Sequence, residues 1–292
     1  MTSSMAWPKR FTSAASFTFD VDAESVVLGV NGALSARMSL MSHQRYGPTV
    51  GLARLLRVLR SCEVRGTFFV PGHTVERYPH EVEDILTAGH ELAHHGYLHE
   101  NLAGKSRQEE ADILDRGLEV FDRYFGVTPT GYRAPHWEMN WHSPELLANR
   151  GFLYDSSLMC GDAPFELATP SGPIVELPIN WTVDDWGQYC YLPEFSGSGQ
   201  ISSPKAVVDL WRDDFEATRR EHGHWILTNH PFLSGRPSRA AALAGLMEHV
   251  QRQGDVWVAA LGDVAEHTRS LGLAPVELTE PWLAPEPPAA GR

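Results

Sequence analysis

Between Ala14 and Leu271 short apolar runs alternate with amphipathic stretches, and this alternation narrows the available folds more than any other feature of the chain. Ala14–Phe19, Thr67–Val70, Glu91–His94, Gly131–Arg133, Phe152–Tyr154, Ile174–Leu177, Trp225–Thr228 and Val256–Ala259 read as short strands, several of them apolar throughout and so buried on both faces. Between them, Thr49–Leu59, Thr74–Ala88, Ser106–Phe125, Ser143–Arg150, Pro204–Glu221, Ser238–Gln253 and Val264–Leu271 carry helical patterning. Leu52, Leu55, Leu56 and Leu59 share one helical face, and Ser106-x-x-Glu109 has the form of a capping box. Strands alternating with helices call for a parallel sheet with crossover helices. Seven or eight such repeats predict an α/β fold, a single-domain distorted (β/α)7–8 barrel over residues 14–272. Residues 1–13 form an N-terminal segment, and 273–292 a Pro-rich acidic tail expected to pack on the surface or on a neighbouring subunit. Residues 25–47, with Gly, Asn, Ser and a Tyr46-Gly47-Pro48 turn, are expected to form a long loop, and 178–203 to be irregular.

In such a barrel the functional side chains gather at the C-terminal ends of the strands. Asp20 and Asp22, His95 and His99, Arg133 and His230 all fall at predicted strand ends. The stretch Gly89–Asn101 reads GHELAHHGYLHEN, with His95 and His99 spaced i,i+4; on a helical turn that spacing sets both imidazoles on one face, as a single metal ion requires. Alone, the spacing also fits a histidine-rich loop with no ligand, and Asp20/Asp22 also fit a capped strand-to-helix turn. Together, one carboxylate and two imidazoles make a facial triad with positions left open for water and substrate, while the other carboxylate is free to act as a base.

Composition bounds the rest. The chain has 292 residues, 42% hydrophobic and 21% charged, which suits a soluble globular protein with a sizeable core. A formal net charge of −13 argues against nucleic acid or an anionic membrane as the main partner. The three cysteines, Cys62, Cys160 and Cys190, have no CxxC spacing and read as free thiols of a reducing compartment. No apolar run of seven or more residues follows the basic pair near the N-terminus, and none approaches a membrane span, so a cytoplasmic protein is expected.

Four segments, in order, resemble the motifs of the polysaccharide deacetylase (NodB-homology) family: SFTFDVDAES, GHELAHHGYLH, GYRAPHW and WILTNHP. The likeness extends over roughly residues 14–270. It implies a distorted (β/α) barrel and metal-assisted amide hydrolysis. It assigns Asp20 as the base, Asp22, His95 and His99 as the metal ligands, Arg133 as the partner of the base, and His230 as the acid that protonates the leaving nitrogen. Val21 separates the two aspartates that commonly adjoin, a variant that resembles a cytoplasmic branch with peptidoglycan deacetylase-like and allantoinase-like members. His94 takes a place where the family often has a small polar residue, and reads as structural. Either Asp155 or Asp185 is expected to orient His230. Trp137 and Tyr46 are candidates for substrate binding, the Trp181–Trp186 segment for a lid, and Glu24 for a turn cap or a substrate contact.

The expected cofactor is one divalent metal, zinc first for an N/N/O donor set, with cobalt, nickel, iron or manganese also suited. The expected substrate is an N-acetylated sugar or polysaccharide; the alternative is a small cyclic amide or imide. A binding module that kept the fold and lost catalysis would not need Asp20, Arg133 and His230 together. Relatives with the variant motif resemble homotetramers, so a homo-oligomer is expected.

Overall fold

The computed structural model describes residues 5–8, 10–192 and 201–280. The expectations for residues 281–292 of the tail and for 193–200 of the irregular stretch lie outside the described residues.

Eight strands form one curled sheet in the order β6-β7-β5-β4-β3-β2-β1-β8, with a ninth laid against β1. They are β1 (Ser13–Asp20), β2 (Thr67–Val70), β3 (Glu91–His94), β4 (Gly131–Tyr132), β5 (Tyr154–Asp155), β6 (Phe165–Leu167), β7 (Ile174–Glu176), β8 (His224–Asn229) and β9 (Val256–Val258). All pairs are parallel except β6–β7. Every residue of β1, β2 and β8 is buried, because helices cover the outer face and barrel side chains fill the inner one. β1 is central: it pairs with β8 along one edge, and its other edge is shared by β9 at the start and β2 at the end. Among the described residues no ladder joins β6 to β8; a lone parallel bridge from Asp184 to Thr228 spans the flank of β8. This is the expected distorted barrel, left open on one side.

Several helices form as the patterning predicts. In α3 (Leu52–Ser61), Leu52, Leu55, Leu56 and Leu59 are buried. α6 (Arg107–Phe125) begins at the Ser106/Glu109 capping box and stops at Gly126, whose φ of 63° is the left-handed conformation that ends helices. α7 (Ser143–Asn149), α9 (Pro204–Arg220), α11 (Pro237–Gln251) and α12 (Leu261–Ser270) complete that set.

Elsewhere the structure corrects the expectations. Residues 25–47 are no open loop: α1 (Ser25–Leu28), a 3-10 turn at Gly32–Ala36 and α2 (Met38–Tyr46) occupy them. α2 buries only Gln44 fully, so it has no apolar stripe to betray it. Gly47 and Pro48 do not break the chain either, because a π-helical turn at Gly47–Gly51 carries α2 into α3 and accommodates the proline. The stretch expected as one helix over Thr74–Ala88 is two, α4 (Gly72–Arg77) and α5 (Pro79–Thr87), split where Pro79 holds Tyr78 out of helical conformation. β6, α8 (Asp185–Tyr189) and the single turn α10 (Pro231–Ser234) had no periodic signal because each is too short to carry one. In the described part of the tail, Val276 bridges to Leu167, so this segment extends the β6 edge of the barrel.

Candidate metal centre and active site

The site sits at the C-terminal ends of the central strands. β1 ends at Asp20, and Asp22 follows it two residues on; His95 leaves the end of β3, Arg133 the end of β4 and His230 the end of β8. Asp20, Asp22, His95, His99, Arg133 and His230 are all buried together.

Asp22 is the hub. His95 Nε2 lies 3.5 Å from its Oδ1, and His99 Nε2 3.5 Å from its Oδ2. Ligand atoms of Asp22, His95 and His99 all fall within 4.8 Å of one another. The i,i+4 spacing of the two histidines predicts a helical turn, whereas the structure brings the rings together without one. No helix runs there; His99 has a φ of 54°, and that left-handed bend turns its ring back beside His95.

The donor set fits a divalent cation. Both carboxylate oxygens of Asp22 are buried and accept no hydrogen bond, a costly condition for a polar group unless a cation satisfies them. His95 donates its other nitrogen, Nδ1, to the Arg133 carbonyl at 2.7 Å, which leaves Nε2 as a free lone pair facing Asp22. Burial pushes His95 down to about 4 and His99 well below the ordinary value, so both imidazoles are neutral, as metal ligation requires. Burial, against the His230 charge, lifts Asp22 to about 7.

Two charged groups face this triad. Burial alone would raise Asp20, but Arg133, by charge and hydrogen bond, and the His230 charge outweigh it and hold the carboxyl below its ordinary value. Arg133 Nη1 donates to Asp20 Oδ1 at 2.8 Å, while Asp20 Oδ2 lies 3.9 Å from His95 Nε2. His230 is the opposite case: burial would neutralise it, yet Asp185, Asp184 and Asp22 together outweigh burial and raise it to about 10. His230 Nδ1 donates to Asp185 Oδ1 at 2.7 Å, and His230 Nε2 points to Asp22 at 3.6 Å. Asp185 is itself fixed by the backbone N–H groups of His230 and Ser234 and by the Ser234 hydroxyl. Of the two aspartates left open by the sequence, Asp185 orients His230; Asp155 lies elsewhere, bonded to Ser157.

A cavity of about 180 Å³ joins these groups, lined by Asp20, Asp22, His95, His99 and His230 and walled by aromatic side chains. Trp137 belongs to that wall and stacks on Trp181 at 4.2 Å between ring centroids. Tyr46 does not reach the cavity: its ring packs under the Arg236 guanidinium and its hydroxyl accepts from Arg54, because α2 directs it towards α10. The Trp181–Trp186 segment noted in the sequence contributes Trp181, Asp184 and Trp186 to the lining. Val26, Val30 and His136 also line it and carried no sequence signal of their own beyond proximity to motifs. Glu24 accepts a hydrogen bond from Tyr78 at 2.6 Å and so fastens the turn after β1. A larger pocket of about 450 Å³, between the α7 start and β6, holds none of these groups.

His94 is structural, as expected. It donates Nε2 to the Leu114 carbonyl at 3.2 Å and fills the space where a Gly117 side chain would stand, 2.0 Å from an added Cβ. Gly117→Ala is therefore expected to displace His94 and lower stability by about 1–3 kcal/mol. Denaturant unfolding reads this, and an unchanged midpoint would contradict the packing described.

An open parallel barrel with a two-histidine, one-aspartate cluster between an ionised carboxylate and a charged imidazole defines a metal-dependent hydrolase. The family model for polysaccharide deacetylase matches residues 46–154, which include His95, His99 and Arg133. The chain is 30% identical over 266 residues to a peptidoglycan deacetylase of Helicobacter pylori, covering 82% of this chain and 90% of that protein. It is 28% identical over 269 residues to a peptidoglycan deacetylase-like protein of Gibberella zeae, covering 80% of each. A crystal structure from Mycobacterium smegmatis, described as of a polysaccharide deacetylase type, superposes with a TM-score of 0.95 at 54% identity, covering 97% of this chain and 99% of that one. The chain belongs to the polysaccharide deacetylase family, hydrolases of amide bonds in acetylated sugars. The Puue allantoinase structure shares the fold at a TM-score of 0.78 and 22% identity, over 90% of this chain and 92% of that one.

Proposed function

We propose that this protein removes acetyl groups from an N-acetylated sugar or glycan such as peptidoglycan, with a zinc ion held by Asp22, His95 and His99. The observation that carries the reading is the placement of ionised Asp20 and protonated His230 around one small cavity containing that triad. A divalent ion held there would supply Lewis acidity and make water a better nucleophile. Asp20, kept ionised by Arg133, takes the proton of the attacking water. His230, kept charged by Asp185, gives its proton to the departing nitrogen, which leaves poorly as an anion. The stacked Trp137 and Trp181 present an apolar wall suited to a sugar ring.

About 180 Å³ is less than the roughly 300–1,000 Å³ typical of sites that enclose a drug-sized ligand, so the cavity takes one acylamino group and leaves the rest of a glycan at the mouth. The same small volume favours a second reading, hydrolysis of a small cyclic amide or imide. Acetate release from N-acetylglucosamine oligomers, measured beside ring opening of allantoin and succinimide, separates the two. Turnover of the oligomers alone supports deacetylation, turnover of the cyclic amides alone replaces it, and turnover of neither by metal-loaded protein overturns both. We further propose a cytoplasmic homotetramer; a monomer by light scattering would refute the assembly.

A further inference from the structure

Asp155 is fully buried and takes no part in orienting His230, yet it stands at the end of β5 beside the loop that grips Arg133. The guanidinium has three sides to satisfy. Nη1 serves Asp20 at 2.8 Å and is also near the hydroxyls of Thr18 at 2.9 Å and Thr228 at 3.2 Å. Both remaining sides go to one residue: Nε donates to the Ser156 carbonyl at 3.0 Å, and Nη2 to the Ser156 hydroxyl at 3.1 Å.

Ser156 is in turn held without slack. Its hydroxyl donates to the Leu177 carbonyl at 2.9 Å, and its N–H to the Tyr132 carbonyl at 3.0 Å. Next along, the Ser157 hydroxyl accepts from the Ala134 N–H at 2.8 Å and donates to Asp155 Oδ1 at 2.6 Å, while the Ser157 N–H donates to Asp155 Oδ2 at 3.1 Å. Asp155 pairs in register with Glu176 across β5 and β7, and Glu176 accepts from the Leu158 N–H at 3.0 Å. Burial, with the neighbouring Asp155 carboxylate, raises Glu176 well above its ordinary value. All of these residues except Leu158 are essentially inaccessible to solvent.

We infer that Asp155, Ser156 and Ser157 form a positioning element for the active site, with Ser156 as the residue that fixes the Arg133 guanidinium plane and through it the Asp20 carboxylate. Ser156 touches neither the cavity nor the metal triad, so it acts only through Arg133. Aligning a reacting group to within about half an ångström is the kind of task such a locked shell performs.

The inference rests on the hydrolase reading above. Its test is a double-mutant cycle of Ser156→Ala with Arg133→Lys, on zinc-loaded protein with tetra-N-acetylchitotetraose, and with allantoin should that be the substrate turned over. Ser156→Ala is expected to lower kcat about 10- to 100-fold with KM within twofold and zinc content unchanged. In the Arg133→Lys background, where the fork to Ser156 no longer exists, the same change is expected to cost less than twofold. Ser156→Thr, which keeps the hydroxyl, regains most of the loss; should Ser156→Ala fail to fold, Asp155→Asn runs through the same cycle. An equal loss in both backgrounds, or wild-type kcat in Ser156→Ala, overturns the inference alone. No turnover of either substrate by zinc-loaded wild type overturns the hydrolase reading, and the inference falls with it.

Discussion

Asp20→Asn is expected to cut turnover by about 10²–10⁴-fold, the usual contribution of a positioned general base, while the bound metal stays in place. The asparagine keeps an oxygen to accept from Arg133 Nη1, now 2.8 Å from Asp20 Oδ1, so the local structure survives. What is lost is the negative charge that accepts a proton. Metal retention follows from the geometry, because the cluster is built on Asp22 and the two histidines and not on Asp20. Metal analysis beside kcat on the same sample checks both halves. Substantial activity in the variant would remove Asp20 as the base, and metal loss would show that it is a ligand.

Asp185→Asn is the second large effect. Asp185 provides the leading interaction that keeps His230 charged against its burial, with the pKa raised to about 10. A raised pKa means that the acid form is present below that value and is lost as pH rises through it. The alkaline limb of the pH–rate profile therefore belongs to His230. Removing Asp185 moves that limb down towards the ordinary histidine value of 6.5 and also removes the hydrogen bond that orients the imidazole, so that kcat at neutral pH falls by about 10²-fold, the usual contribution of a positioned acid. The same linkage acts on stability: the His230–Asp185 pair contributes fully below pH 6.5 and fades as pH approaches 10. An unmoved alkaline limb in Asp185→Asn would contradict the assignment of His230 as the acid.

The residues that gather at the candidate site were more legible in the sequence than the backbone that arranges them. Asp20, Asp22, His95, His99, Arg133 and His230 are far apart in the chain, yet each follows a short apolar run, and a parallel barrel gathers strand ends at one face. The His95/His99 spacing gave the right neighbours through the wrong local structure, since a left-handed residue at His99 does what a helical turn was expected to do. α2 was invisible because a helix with one fully buried residue leaves no period to read, and that same omission put Tyr46 in the wrong place. The choice between Asp155 and Asp185 depended on which backbone returned to β8. The bridge from Asp184 to Thr228 brings Asp185 there, and a bridge of one residue pair has no sequence signature. Ser156 and Ser157 are small polar residues of an ordinary kind, and their importance lies wholly in what the fold sets against them.

The most direct test of the central claim is the metal content of the purified protein and of its His95→Ala and His99→Ala variants, each read beside acetate release. About one equivalent of divalent metal is expected in the wild type, loss of metal and turnover in both variants, and loss of turnover with the metal retained in Asp20→Asn. A wild-type protein that binds no metal even after added zinc, or variants that keep both metal and turnover, would contradict it.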